Sequence, residues 1–382
     1  MRRAVLAVAA VWLAGTLWAG EAPESPPAPQ HGEDGHRVVD AIARLKLPGR
    51  KDRVQALETI KRFPDKALPY LIKAARNDDS VFRARVANAL GLVGKGDRDA
   101  VWALTVLLQD TDAFVRREAI AALVKAGDAS CVPHIEPLLE DRVEGVRADA
   151  VVALAELQPE KAIERLKGWL AHPDARVRRA ALAELVSRKD ASVAPALPVL
   201  AKDKDPGVRS DAAATLARVA GDTAVPALVE MLADPEPAVR SAAVIALKDL
   251  RATQVTPRLI DLLNDKSEEV RAEAVSALGS LRAKAAIPAL IGQLTGTSKA
   301  LRERAALALG LFREQARSAV PGLILLLADD DEGVRQKADL ALRLILRANV
   351  GYQASASTER RQEAVAKWND AWRKSQNEPK IK

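Results

Sequence analysis

Aromatic residues make up only 3 % of this 382-residue chain. Six Trp, four Phe and two Tyr are too few to fill several separate thick cores, so a thin core of small side chains is the expectation. A single cysteine, Cys131, excludes an intramolecular disulfide framework and any Cys-rich zinc module. Four histidines (His31, His36, His134 and His172) leave little room for histidine-based metal or acid–base chemistry. Long apolar runs are also scarce. The longest, Ala4 to Trp18, falls short of the roughly twenty residues that a membrane-spanning helix needs. What the chain does contain is 48 % hydrophobic and 29 % charged residues, the balance of a globular protein, and length alone implies about two to three domains.

The net charge of +7 raises the question of a polyanionic partner, so its location comes first. Arg2 and Arg3 stand at the amino terminus with no acid beside them. The last 35 residues, 348–382, carry seven bases against four acids. The long body between them is close to neutral, with bases and acids interleaved. Specific nucleic-acid binding is therefore not expected, and a polyanion or membrane surface could be engaged only through the basic tail. The amino terminus itself reads as an export signal over residues 1–19: two arginines, an uncharged apolar run, then small residues at Ala19 and Gly20. An uncleaved membrane anchor is the competing reading of the same segment. Residues 20–36 are proline-rich and polar, an extended linker. The expected location is periplasmic or extracellular, with no membrane span left after cleavage.

A repeat dominates the remainder. Arg53, Arg83, Arg116, Arg147, Arg178, Arg209, Arg240, Arg271, Arg302 and Arg335 are followed at +3 and +6 by small or apolar residues, Glu184 at +6 from Arg178 excepted, and at +7 by Leu or Ile. From Arg116 to Arg302 the spacing is 31. A second ladder, mostly proline (Pro133, Pro195, Pro226, Pro257, Pro288, Pro321), runs in step with it. Each unit thus predicts two helices. The first opens with proline, whose missing N–H has no intrahelical partner to lose. The second carries one wide apolar stripe at −1, +3, +4, +6, +7 and +10 from the arginine. An acid four residues before the arginine (Asp79, Asp112, Asp174, Asp205, Glu236, Asp331) falls where that second helix begins, suited to capping it. Gly94, Gly127 and Gly221 supply stop signals. Alanine, about a fifth of the chain, occupies the +3 and +6 positions, where small side chains let helices approach closely.

These features together resemble the HEAT-repeat family, and more closely its short bacterial subtype, the PBS-lyase HEAT-like repeats, over residues 37–347. The resemblance implies an all-α solenoid of about ten stacked helix pairs. It also implies a ladder of turn aspartates and helix-opening arginines with a structural role. Here these are Asp110 and Arg116, Asp141 and Arg147, Asp203 and Arg209, Asp234 and Arg240, Asp265 and Arg271, Asp329 and Arg335. Asn77, His172 and Gly296 replace the aspartate before Arg83, Arg178 and Arg302, so the ladder is expected to be looser in those units. The first unit is abbreviated, with residues 37–45 as its first helix.

Two enzymatic precedents come with the family, bilin lyases and deoxyhypusine hydroxylase, the latter holding iron on paired His-Glu dipeptides. No His-Glu pair occurs in this sequence, and neither a phosphate-binding glycine loop nor a nucleophile elbow is present. No catalytic residue, cofactor or metal is expected. His172 reads as a turn residue, and Cys131 as a buried thiol with no base adjoining it in sequence. The reading is a non-enzymatic, monomeric scaffold for a protein partner.

Two surfaces are candidates for that partner. On the second helices, +1, +2, +5 and +9 point outward, the side that the resemblance makes concave. Mixed charges at +2 and +9 flank an uncharged +5 row that includes Val152, Ile245 and Leu307. This row forms either a groove for a partner or a contact that lets inner helices crowd together. In the tail, residues 358–376 predict a helix with Ala364, Val365, Trp368 and Trp372 on one face. That helix either caps the last repeat or presents its tryptophans as anchors.

Overall fold

The computed structural model describes residues 32–377. The expected export signal and the linker up to residue 31 lie outside the described residues. Among the described residues the ordered elements are all helical, and they pair as the period of 31 requires. The chain divides into two compact units, one ending at Ala162 and the next beginning at Ile163. The first contains α1 (Glu33–Arg44), α2 (Arg50–Arg62), α3 (Pro64–Ala74), α4 (Ser80–Val93), α5 (Arg98–Leu107), α6 (Ala113–Ala126), α7 (Val132–Ile135) and α8 (Glu144–Leu157). The division falls within α9 (Pro159–Trp169). The second unit continues with α10 (Ala175–Ser187), α11 (Leu197–Leu200), α12 (Pro206–Ala220), α13 (Val225–Met231), α14 (Pro237–Asp249), α15 (Thr256–Asp261) and α16 (Glu268–Ser280). Then come α17 (Ile287–Gly292), α18 (Lys299–Leu311), α19 (Val320–Leu326), α20 (Glu332–Leu346) and α21 (Thr358–Asn377). Helix α1 begins at Glu33, four residues before the expected start, with Glu33 and Asp34 in its first turn, where the helix dipole favours acids.

Second helices follow one local recipe, seen in α12. The Asp205 side chain accepts the Val208 N–H at 3.0 Å, Pro206 occupies the first helical position, and Gly221 ends the helix at φ +54°. Val208, Ala212, Ala213, Thr215 and Leu216 are buried, the predicted stripe. Asp79, Asp112, Asp174 and Asp331 cap their helices through the side chain as well. Glu236 does not, because its longer side chain overshoots the N–H groups of the first turn. First helices are shorter and more broken. Around α7, 3-10 turns at Ala129–Cys131 and Glu136–Glu140 flank a single α turn, since Pro137 cannot donate back along the helix.

The predicted stripe omitted one position. At +8, Gly91, Gly279 and Gly310 face the +6 alanine of the next second helix. A Cβ at Gly279 would lie 2.6 Å from that of Ala308, and one at Gly91 would lie 2.6 Å from the Ala122 Cα. Glycine against alanine sets the closest approach, and small +1 residues are covered along with it. Ser241 and Ala272 are buried, against the expectation of an outward +1 row.

Helix α21 packs on α19 and α20 and closes the end of the second unit as the expected capping helix. The segment before it is pinned by two buried bonds, and the helix itself by a third. Tyr352 donates its hydroxyl to the Leu327 carbonyl at 2.6 Å, Arg335 Nε donates to the Ala354 carbonyl at 2.9 Å, and Trp368 Nε1 donates to Asp339 Oδ1 at 3.1 Å.

Candidate interaction surface

The ladder is built from both sides of each turn. Arg116 Nη1 donates to the carbonyl oxygen of Asp110, six residues back, at 2.8 Å, tying its helix to its own turn. Its Nε and Nη2 then fork onto the carboxylate of Asp141, in the next repeat, at 2.7 Å each. The same fork joins Arg83 to Asp110, Arg209 to Asp234, Arg240 to Asp265 and Arg302 to Asp329, over 2.6 to 3.0 Å. Arg178 reaches Asp203 through one nitrogen at 2.5 Å. Each of these carboxylates also accepts the N–H two residues on, as Asp265 does from Ser267 at 2.8 Å. Burial pushes the carboxyls of Asp110, Asp234, Asp265 and Asp329 up, but the arginine fork and this N–H together hold them below the ordinary range. Arginine suits the role because its planar fork matches a carboxylate with two bonds at once.

The expected looseness is displaced. Arg83 and Arg302 make full forks although their own turns carry Asn77 and Gly296. An arginine grips its own turn through a carbonyl, so the missing carboxylate affects the preceding repeat instead. Arg271 bonds the carbonyls of Asp265 and Lys266 at 2.6 and 3.1 Å, and the following turn offers it only glycine. Arg147 bonds the Asp141 carbonyl at 2.6 Å. Arg335, with no repeat after it, uses the Ala354 carbonyl instead. Asn77 and His172 still accept the N–H two residues on, at 3.1 Å in both cases, which keeps His172 in its turn role.

A second, more exposed ladder was not anticipated. Arg117 Nε donates to Asp149 and Arg179 Nε to Asp211, both at 2.6 Å, joining +1 of one second helix to +2 of the next. Arg304 contacts Glu273 at 3.3 Å. The spacing of 32 that links the first two pairs was visible in the sequence, but so were many other pairings of outward charges.

Beside these charges stands the +5 row. Val152 in the first unit is 37 % exposed; in the second, Ile245 and Leu307 are each 38 % and Leu340 is 40 % exposed. The structure brings Ile245, Leu307 and Leu340 onto a common outward face of the second helices in one unit, interrupted by Ser276 on α16. Trp368 is fully buried, held by Asp339, which also pairs with Arg343 at 2.6 Å. It therefore serves the cap and offers no surface to a partner. Trp372 is half-buried on the same helix. Cys131 is buried, its Sγ donating to the Asp128 carbonyl at 2.9 Å, and burial pushes the thiol up to about 11. Among the described residues no group of three or more His, Cys, Asp or Glu side chains is arranged to hold a metal ion. No described helix is long and apolar enough to cross a membrane.

No curated protein matches the chain. Among solved structures it is similar to Kap95p in a complex with RanGDP (TM-score 0.55, 14 % identity, 88 % of this chain and 55 % of that one). Yeast importin-β, Kap95p, gives a TM-score of 0.53 at 14 % identity over 88 % of this chain and 56 % of that one. Kap121p bound to Nup53p gives 0.50 at 17 % over 81 % and 41 %. The chain thus spans about half the length of these α-solenoids, and at such identities the likeness is one of fold. A family profile described as HEAT repeats matches residues 39–123, 101–185, 169–248, 225–306 and 256–343. With ten helix pairs among the described residues and matches running from 39 to 343, the chain belongs to the HEAT-repeat family.

Proposed function

We propose that this protein is a non-enzymatic scaffold, exported to the periplasm or beyond the cell, that holds a protein partner against the outward face of its second helices. The observation that carries the reading is the exposure of Ile245, Leu307 and Leu340 on one face of the second unit, on helices whose other apolar positions are mostly buried. An apolar row rimmed by paired charges is the form of a groove for a partner segment. Val152 is the corresponding residue of the first unit. The solenoids of similar fold are described with protein partners, RanGDP in one case and Nup53p in the other, and repeat arrays in general bind along extended faces. The period of 31 favours the short bacterial HEAT-like subtype, and Arg2, Arg3 and the apolar run after them favour export. A lyase or iron-dependent activity finds no support in the side chains, since His172 is engaged in its turn and the Cys131 thiol is buried and protonated.

The test replaces Val152, Ile245 and Leu307 with Asp, all on half-exposed positions, with folding followed by circular dichroism. Affinity capture from envelope fractions is expected to lose the partner recovered by the unaltered protein. Unchanged capture by the folded variant would refute the assignment.

A further inference from the structure

Second helices of the second unit end in an unusual way. After α10, α14, α16, α18 and α20 the residue in the left-handed region is Lys189, Arg251, Arg282, Arg313 and Arg347, at φ between 49° and 55°. Glycine adopts this conformation without steric cost, while L-residues other than Asn and Asp are strained there. In the first unit the left-handed positions belong to Gly96 and Gly127, and after α12 to Gly221. Five times in one unit, then, a basic residue stands where glycine would be easier. A cation near a helix C-terminus does favour the dipole, but a base in the last helical turn achieves that without strain, as Lys248 does.

All five are exposed. Arg347 pairs with Glu314 at 2.9 Å. Lys189, Arg251, Arg282 and Arg313 make no ion pair or side-chain hydrogen bond among the described residues, in contrast to the forked arginines of the ladder. Arg317, in the same turn as Arg313, has a buried Nε without a hydrogen-bond partner among the described residues. The acids near the row are few: Glu314, beside Arg313, is engaged by Arg347, Asp190 is engaged in capping the Ser192 N–H, and Asp222 and Asp249 stand beside Gly221 and at the end of α14.

We infer that this edge, with Arg251, Arg282 and Arg313 at its centre, binds an extended acidic segment of a protein partner. The inference rests on the scaffold reading above and specifies the chemistry of what is scaffolded. Helices α14, α16, α18 and α20 pack in succession at about 8–10 Å, so the three guanidinium groups recur at roughly that pitch. An extended chain rises about 3.3 Å per residue, which places a carboxylate at every third residue opposite each arginine. Duplex DNA carries one charge per about 1.7 Å of axis, far denser than this row. Phe312 beside Arg313 is buried and unavailable for base stacking.

The test uses fluorescent peptides of (Glu-Gly-Ser)5 and of the same composition with its glutamates in one block, read by anisotropy on the full chain. The spaced peptide is expected to bind more tightly than the block peptide. The triple variant R251G/R282G/R313G is expected to lose about tenfold in affinity, the sum of three exposed charge pairs, with a melting temperature no lower than before. An asparagine triple variant, also tolerant of the left-handed region, serves if the glycine variant does not fold. Equal binding of the two peptides, unchanged binding by the variant, or tighter binding to single-stranded DNA or to anionic vesicles would each overturn the inference. The variant I245D/L307D is expected to keep peptide binding whatever it does to partner capture, so the edge and the outward face succeed or fail separately. Peptide binding lost in I245D/L307D and kept in R251G/R282G/R313G would move the acidic segment off the edge.

Discussion

Replacing Asp265 with Ala probes the buried ladder at one rung. Its carboxylate accepts Arg240 Nη2 at 2.7 Å and Nε at 2.8 Å, and the Ser267 N–H at 2.8 Å. The two side chains are only 12 % and 8 % exposed, so water cannot fully replace what the substitution removes. Breaking one side of a buried pair costs about 3–5 kcal/mol. The residual exposure of Arg240 lowers this, and the orphaned Ser267 N–H adds to it, giving about 2–4 kcal/mol. The exposed pair Arg258–Asp261, 4.0 Å apart and about 70 % exposed on both sides, is the control, with D261A expected to cost at most about 0.5 kcal/mol. Urea unfolding supplies the totals. Native-state hydrogen exchange should place the loosening in α14 and α16, because stability in a repeat array is local to each interface. D265N, which keeps an acceptor for Ser267, should cost less, and the double variant R240A/D265A should cost less than the two single changes added together. A loss in D265A no greater than in D261A would refute the reasoning that the rung is buried and energetically coupled.

Acid should weaken the ladder and the cap differently. Asp110, Asp234, Asp265 and Asp329 sit below the ordinary 3.8 when folded, so the unfolded chain takes up protons first. Their stabilisation is present above that value and is lost as pH falls through their folded pKa. Asp339 has the opposite sign. Burial raises its carboxyl against the pull of Arg343 and Trp368, so its contribution is full at low pH and is lost as pH rises through the elevated pKa. Urea unfolding across the acid range should therefore show a fall that D265N makes shallower, while D339N shifts the curve the other way. Truncation before Thr358, or W368A, should lower the melting temperature. Trp368 is fully buried, and removing such a side chain costs on the order of 3–5 kcal/mol; an unchanged melt would show that α21 does not act as a cap.

Much of this architecture was legible in the order of residues. Pro226 ahead of Val229 and Leu232, or Asp205 ahead of Val208, Ala212 and Leu216, specifies a helix start and a buried stripe through bonds and contacts that span only a few positions. Local chemistry of that kind repeats every 31 residues and needs no knowledge of the rest of the chain. The period, the helix pairs, the capping aspartates and the turn role of His172 follow from it, as does the helix at the tail.

What the order of residues left open is what meets across repeats. The partner of Arg240 is Asp265 rather than Asp234, Gly279 meets Ala308, and the Ala354 carbonyl stands in for a missing aspartate at Arg335. Trp368 belongs to the cap, and four unpaired cations come to lie along one edge. Each of these depends on how one helix pair is shifted and turned against the next. That offset is set by the summed packing of both helices, so only the tertiary structure decides it.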